Sequence, residues 1–392
     1  MNKNVLTTAV QDFITENWNV DIMSVLLKKP FFEGISNAEL AQQIEARKRC
    51  SKKLPTWYAT SLIYYPDKRN VEQTSSEKTA AYKAQLVSGD TMIDLSGGFG
   101  VDTFYFSQKM AHVVHCEIDK ELSGIAAHNF TVLGASNIAC IAADGLEYLK
   151  QEESRYDWAY VDPSRRNEAK GKVFKLSDCS PNILDHIVDI FNKTDKLLVK
   201  TAPLLDLSIG IAEFPSVKEI HIVAIDNEVK ELLWVLEKDY SGDIDLKSIN
   251  LGKGNMQIFN FTPLMEKEAE PNYALPMKIL YEPNAAIMKS GAFKLVGNRF
   301  QLHKLAPNSH LYTSEMPVNF PGRVFKIDKW IPYHKKTLRK LRIDKANITA
   351  RNFPESVASI RMKNRIRDGG DLYLFFTKTD GEKHKVVFCS KI

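Results

Sequence analysis

Met92-Ile93-Asp94-Leu95-Ser96-Gly97-Gly98-Phe99-Gly100-Val101-Asp102 is the stretch around which the chain is organised. Ile93 and Leu95 read as a short buried strand, with Asp94 near its carboxyl end. Gly97, Gly98 and Gly100 form a turn in which no Cβ keeps the backbone from a ligand. Phe104, Tyr105 and Met110 continue as the apolar face of a helix. An open α/β sheet holds nucleotide-like ligands at such a strand–turn–helix junction. The turn alone leaves the ligand open.

Downstream, apolar runs alternate with helical patterns. Residues 112–117 read as a second strand ending in Glu117, and 119–134 as a helix with Leu122, Ile125, Ala126, Phe130 and Leu133 on one face. Residues 138–142 form a third strand followed by Asp144-Gly145, and 156–162 a fourth ending in Asp162. A helix over 182–191, a fifth strand over 196–200 and closing strands at 217–225 and 232–236 complete the pattern. Such alternation implies a doubly wound, Rossmann-like α/β fold with a seven-stranded sheet.

Upstream, residues 1–73 read as a helical domain. Ser36 to Glu39 is a capping box. The basic run Arg47, Lys48, Arg49, Lys52 and Lys53 fits a nucleic-acid contact and a solvated helix end equally well. Thr74 to Glu77 reads as a second capping box, and the hydroxyls and free amides of Thr74, Ser75 and Ser76 suit a carboxylate. The sheet domain then covers 74–240. A polar connecting segment, 241–274, carries one strand at 256–261, and 275–392 is a small basic α+β domain. In that domain a helix is expected from 352 to about 367, stopped by Gly369-Gly370, with a hairpin around Asp380-Gly381.

The acids decide the ligand. A dinucleotide site would show GxGxxG, and Asp94 beside the turn would repel a pyrophosphate but suits an ammonium. No P-loop lysine is present. S-adenosylmethionine has an ammonium, a sulfonium, a ribose diol and an adenine. Glu117, 23 residues after Asp94, is placed to accept the ribose hydroxyls, and Asp144 to accept the adenine amino group. Ile118 and Leu146 are placed to bracket the ring.

The bulk numbers exclude other classes. No apolar run approaches the roughly 20 residues of a membrane span. Residues 1–18 carry charges and no apolar h-region, so no signal peptide is expected. The five scattered cysteines contain no CxxC pair, which points to a reducing cytoplasm and to no metal or disulfide framework. The net charge of +5 is unevenly spread. Residues 275–392 hold 23 lysines and arginines against nine acids, a net of +14, which leaves −9 for the rest. A polyanion partner is the expectation, with an ordinary solvated basic surface as the alternative.

Gln73-Thr74-Ser75-Ser76-Glu77-Lys78-Thr79-Ala80, the stretch from Asp94 to Asp102, and Asp162-Pro163-Ser164-Arg165-Arg166 together resemble bacterial class I S-adenosylmethionine-dependent methyltransferases that carry a C-terminal THUMP-like domain. The resemblance implies cofactor binding at Asp94, Gly97, Gly98, Gly100, Glu117 and Asp144. Thr74, Ser75, Ser76, Ile118, Gly145 and Asp162 complete the expected cofactor set.

Asp162, Pro163 and Arg165 are the candidate catalytic residues. Amino-group methyltransferases acting on bases have Asp/Asn-Pro-Pro-aromatic at this strand end. Here Ser164 and Arg165 replace the second proline and the aromatic ring. The Asp-Pro-x-Arg form also resembles enzymes that methylate C5 of uridine, which need a cysteine nucleophile after the fifth strand. That place reads Lys200-Thr201-Ala202-Pro203, and Cys179 reads as a structural or surface thiol in a loop. Asp162 is expected to orient the nucleophile and accept its hydrogen bond. Arg165 and Arg166 suit a phosphate or a stacked base, or else pair with local acids. Lys335, Lys336, Arg339, Lys340 and Arg342, then Arg361, Lys363, Arg365 and Arg367, on the last helix or, if that stretch is a strand, on one face of it, concentrate charge near Arg351, Trp330 and Tyr333. The expected function is methylation of a base in structured RNA, tRNA or rRNA. The alternatives are a methyltransferase acting on a protein or small molecule, and an inactive RNA-binding module.

Overall fold

The strand that leads into the glycine turn lies inside the sheet, paired on both sides. A computed structural model describes residues 1–165, 176, 179–379, 381 and 383–392. The chain divides into two compact units, Met1–Lys218 with Leu233–Ser241, and Glu219–Leu232 with Gly242–Ile392. Along the chain run β1 (Thr91–Asp94), β2 (His112–Cys116), β3 (Ile138–Ile141), β4 (Trp158–Val161), β5 (Lys196–Thr201), β6 (Val217–Ile225), β7 (Glu228–Glu237), β8 (Asp245–Leu251) and β9 (Met256–Phe261).

In the first unit the strand order is β3-β2-β1-β4-β5, followed by residues 233–237 of β7. The pairs β1–β2, β1–β4, β2–β3 and β4–β5 are all parallel. Strands β1 and β4 are apolar because both of their faces are covered. Parallel pairing also brings the ends of β1 to β4 to one edge, with Asp94, Glu117 and Asp162 at or just past those ends. The helix expected at 182–191 is a 3-10 turn, Ile183–Asp185, and a helix, Ile187–Lys193.

Six α-helices precede the sheet: α1 (Thr8–Glu16), α2 (Ile22–Leu26), α3 (Asn37–Lys53), α4 (Pro55–Ala59), α5 (Lys68–Gln73) and α6 (Glu77–Ala84). They share a core with the turn. Leu40, Ile44 and Trp57 lie in one cluster with Phe99, Phe104 and Phe130. Ser36 caps α3, accepting from the Glu39 amide at 3.2 Å, while the Glu39 carboxylate accepts from Asn2 at 3.1 Å rather than closing the box. The second box is corrected. Ser76 caps α6 (Glu77–Ala84), and Thr74 closes α5. Glu77 instead accepts from the Thr56 amide at 2.6 Å, the Thr56 hydroxyl at 2.9 Å and the Tyr105 hydroxyl at 3.0 Å, joining three elements. The basic run is a helix end with local partners. Arg47 donates to the Tyr58 carbonyl at 3.2 Å, Lys48 to Asn19 at 2.8 Å, Arg49 to Glu72 at 2.8 Å and Lys53 to the Val71 and Glu72 carbonyls.

In the second unit β8 pairs parallel with β6 and antiparallel with β9. Residues 241–274 therefore hold two strands and the helix Pro263–Glu268, where one strand was expected. Leu246 and Ser248, opposite Phe261 and Phe259, are buried on one face, and Ile249 is buried on the other. Asp245, Lys247, Ser248 and Asn250 interleave with the apolar residues of β8 and hide it as a strand.

The rest of this unit contains a seven-stranded sheet formed by β10 (Ile279–Pro283), β11 (His303–Lys304), β12 (Tyr312–Ser314), β13 (Gly322–Pro332), β14 (Lys345–Arg351), β15 (Arg367–Lys378) and β16 (His384–Lys391). Its order is β11-β12-β10-β13-β16-β15-β14. All five residues of β10 are buried, Glu282 and Pro283 among them. The last helix is Val357–Asn364, capped by Ser356. Arg365 ends it at a positive φ of 55°, and Arg367 begins β15, so the four expected basic residues do not share one helix. Gly369 and Gly370 lie inside β15, in a bulge where the register with β14 jumps from Ala346↔Asp368 to Asn347↔Tyr373. Three of those basic residues pair with acids: Arg361 with Asp368, Lys363 with Glu355 and Arg367 with Asp344. Asp380 lies outside the described residues. Among the described residues no helix is long and apolar enough to cross a membrane.

Candidate active site

The turn after β1 leads into α7 (Val101–Ser107) and is packed from below. A Cβ on Gly97 would sit 2.2 Å from the His115 ring, and one on Gly100, where φ is 84°, would sit 2.3 Å from the Phe130 ring. Burial pushes the His115 pKa down to about 4, so a neutral ring lies under Gly97 at pH 7. Gly98 is different. With φ at 55° it has one neighbour for a built Cβ, the Ser96 carbonyl oxygen at 3.9 Å, and its outer face is open.

The Gly98 amide donates to Glu117 Oε2 at 2.9 Å, and Glu117 Oε1 accepts from the Asp119 amide at 2.8 Å. Asp119 caps α8 (Lys120–Val132). Ile118, beside this carboxylate, is 69% exposed. Asp144 Oδ1 caps α9 (Gly145–Gln151), accepting from Leu146 at 2.9 Å and Glu147 at 3.1 Å. Gly145 presses on the first strand, since its Cβ would lie 2.4 Å from the Leu95 carbonyl oxygen. Leu146 is buried, which leaves Ile118 as the exposed apolar surface of the expected pair.

Asp94 sits beneath this surface, 1% exposed. Its Oδ2 accepts from the Thr103 hydroxyl at 2.6 Å and its Oδ1 from the Ser96 amide at 3.0 Å. Burial pushes its pKa up to about 7, against the pull of those two hydrogen bonds. Its first task is therefore to shape the turn. Ser75 is also engaged. Its hydroxyl donates to Asp102 Oδ2 at 2.8 Å and accepts from Lys83 Nζ at 2.8 Å. Lys83, fully enclosed, lies 3.0 Å from Asp102 Oδ1, and the Tyr160 hydroxyl donates to Asp102 Oδ2 at 2.8 Å. Ser76 is used as the α6 cap, while the Thr74 side chain makes no hydrogen bond among the described residues.

At the end of β4 the Asp162 amide donates to Ser96 Oγ at 2.7 Å, linking this strand to the turn. Asp162 Oδ2 accepts from Lys200 Nζ at the end of β5. Pro163 follows, half-buried, and Ser164–Arg165 pairs with Cys179–Ser180 in a short antiparallel ladder that holds Cys179 buried. The Arg165 side chain and Arg166 lie outside the described residues. Among the described residues no three His, Cys, Asp or Glu side chains gather to hold a metal.

Comparison with solved structures settles the family. The chain is 32% identical to a protein from Porphyromonas gingivalis W83 described as a methyltransferase, with a TM-score of 0.90 over 99% of this chain and 98% of that one. The chain belongs to the class I S-adenosylmethionine-dependent methyltransferases. Its C-terminal part matches a ferredoxin-like domain model over residues 280–321 and a THUMP domain-like model over 322–391. An rRNA methylase from Streptococcus thermophilus overlaps at 18% identity and a TM-score of 0.30, covering 41% of this chain and 94% of that one. TrmK from M. capricolum, solved with S-adenosylhomocysteine, overlaps at 18% and 0.33, covering 42% and 70%. Neither overlap bears on the chemistry of this chain. No curated protein matches.

Sequence reasoning missed Lys200, Lys83, Tyr160 and the pairing role of Asp102 in this methyltransferase. Lys200 had a readable signal. It is one charge ending the apolar run Leu197-Leu198-Val199, and because Val161 pairs with Val199 it lies beside Asp162. Lys83 had none, since a lysine in a short polar helix reads as exposed.

Proposed function

We propose that this methyltransferase binds S-adenosylmethionine over the ends of β1 to β4 and methylates a base in structured RNA. The observation that carries the cofactor reading is the Glu117 carboxylate, held against the open Gly98 amide with the exposed Ile118 beside it. A diol-accepting acid, an apolar plate and a backbone with no Cβ in the way fit a ribose with an adenine ring. When bound, the cofactor supplies an electrophilic methyl group on a sulfonium.

The chain supplies position. Glu117 accepts the ribose hydroxyls, Asp144 the adenine amino proton, and Ile118 covers one ring face. Asp94 would hold the ammonium end of the cofactor, and the α6 start with Thr74 its carboxylate. Lys200 holds one oxygen of Asp162, whose Oδ1 has no partner among the described residues. That oxygen is free to accept a proton-bearing atom of the target base and fix it in line for transfer. The RNA reading rests on the net charge of +14 in residues 275–392 and on their match to a THUMP-like model.

Modified-nucleoside profiles of total RNA, from cells with and without the gene, test the substrate. One methylated nucleoside is expected to vanish in the deletion and return with the wild-type gene. An unchanged profile overturns the RNA reading and moves the search to proteins and small molecules.

A further inference from the structure

In the C-terminal domain Lys278, Arg361 and Arg367 each pair with one acid, and Glu355 takes Lys363 at 2.9 Å and Lys335 at 4.0 Å. Glu282 is the acid that holds two guanidinium groups. It lies on β10, and its side chain is 4% exposed. Register places Arg323, at the start of β13, directly across from it. Arg323 donates Nε and Nη2 to Glu282 Oε2, the former at 2.7 Å. The other oxygen is held by a residue from far along the sheet. Arg351 is the last residue of β14, an edge strand, with β13, β16 and β15 standing between it and β10. Its Nε and Nη2 nevertheless reach Glu282 Oε1 at 3.3 and 2.9 Å. The sheet therefore curls enough for one buried carboxylate to collect two guanidinium groups.

The balance of charge is uneven. One carboxylate faces two guanidiniums, a net of one positive charge, when a single arginine would neutralise Glu282. The arginine side chains are 43% and 34% exposed, and neither Nη1 has a partner among the described residues. Both forks are already fixed, so little side-chain entropy remains to be lost when an anion arrives. His310, close enough to feel Arg351, is kept neutral by burial, its pKa lowered to about 4, so the arginines provide the charge at pH 7.

We propose that Arg323 and Arg351, held on the two oxygens of buried Glu282, form a binding site for one phosphodiester of an RNA backbone. The site lies where the ferredoxin-like segment meets the THUMP-like segment, with Glu282 from the first and both arginines from the second. It rests on the RNA reading above and adds a defined contact to it. An oxygen of the phosphodiester accepts from each free Nη1, as guanidiniums recognise phosphate elsewhere.

The test is filter binding of bulk tRNA to the full chain between 50 and 200 mM salt. The expected result for R323M/R351M is an affinity about tenfold lower, with a log–log salt slope smaller by about one, as loss of one phosphate contact predicts. Binding of S-adenosylhomocysteine serves as the folding control. Should the double variant not fold, R351K replaces it. Arg323 then still neutralises Glu282, and an affinity about threefold lower is expected because the charge stays but the fork is lost. A folded variant with wild-type affinity and slope overturns the site and leaves the RNA reading standing. A wild-type chain that does not hold tRNA at 50 mM salt overturns the RNA reading itself.

Discussion

Two ion clusters in this methyltransferase use the same chemistry to opposite ends. Under the glycine turn, Lys83 is fully enclosed and Asp102 nearly so, with Ser75 and Tyr160 filling the remaining contacts. In the C-terminal domain Glu282 is enclosed but both of its arginines reach solvent. The first cluster joins the α6 start, α7 and β4, so its charges hold backbone in place. The second has charge left over and facing out. Burial of the cation, rather than the presence of an ion pair, separates a structural cluster from a surface that an anion can meet.

The largest expected effect breaks the enclosed cluster. Lys83→Met leaves Asp102 without its ammonium, and losing one partner of a buried pair costs about 3–5 kcal/mol. Urea unfolding measures it. A loss below 1 kcal/mol would place Lys83 with the surface cations and erase the contrast.

Next comes the half-exposed acid above the turn. Glu117→Ala removes two charge-assisted acceptors for ribose, each worth about 1.5–3 kcal/mol. Calorimetry with S-adenosylhomocysteine is expected to show affinity falling at least about 100-fold. Undiminished affinity would move the ribose elsewhere.

Asp94 sharpens the same comparison through pH. Burial raises its folded pKa to about 7 from 3.8, against Thr103 and Ser96, with the carboxylates of Asp102 and Asp162 pushing the same way as burial. Lys83 and Lys200 sit on those two neighbours. An acid with a raised folded pKa gives its full contribution to stability below about pH 4 and loses it as pH climbs through about 7. The Asp94→Asn variant is therefore expected to gain on wild type between pH 4 and 7, by at most about 1.4 kcal/mol per pH unit. Urea melts at pH 5 and 8 check the sign. A gap that does not change with pH would mean Asp94 is ionised throughout.

The smallest effect belongs to the exposed pairs. Arg367 and Asp344 are 73% and 71% exposed. Arg367→Ala is expected to change unfolding free energy by less than about 1 kcal/mol. A larger loss in the same urea assay would show that the surface pairs of this domain carry structure after all.

Much of the first unit was legible in the chain. β1, β2, β4 and β5 are apolar runs with an acid or lysine at their ends, and parallel burial makes that pattern unavoidable. Gly97 and Gly100 were readable because a side chain at either would meet a ring, and Gly98 because its φ of 55° favours glycine. Contacts between distant residues were not readable. Glu77 looked like half of a capping box, yet its carboxylate serves Thr56 and Tyr105 across the core. Ser75 looked like a ligand for the cofactor, yet its hydroxyl is held by Lys83 and Asp102. In the second unit the basic stretch 361–367 fitted a helix by spacing, but pairing of Arg367 with Lys345 and the bulge at Gly369-Gly370 draw its end into a sheet. Nothing local announces a strand partner more than twenty residues away. Lys200 is legible as the one charge that ends the apolar run Leu197-Leu198-Val199.

The central claim is that the Asp162 carboxylate, steadied by Lys200 beside the glycine turn, directs methyl transfer to RNA. The direct measurement is incorporation of labelled methyl from S-adenosylmethionine into RNA from a strain lacking the gene, with wild-type protein and Asp162→Ala side by side. The account predicts label in one RNA species with wild type, and at least about a 100-fold slower rate for a variant that still binds S-adenosylhomocysteine. Equal rates for the two proteins, or cofactor binding by wild type with no label in any RNA, would contradict it.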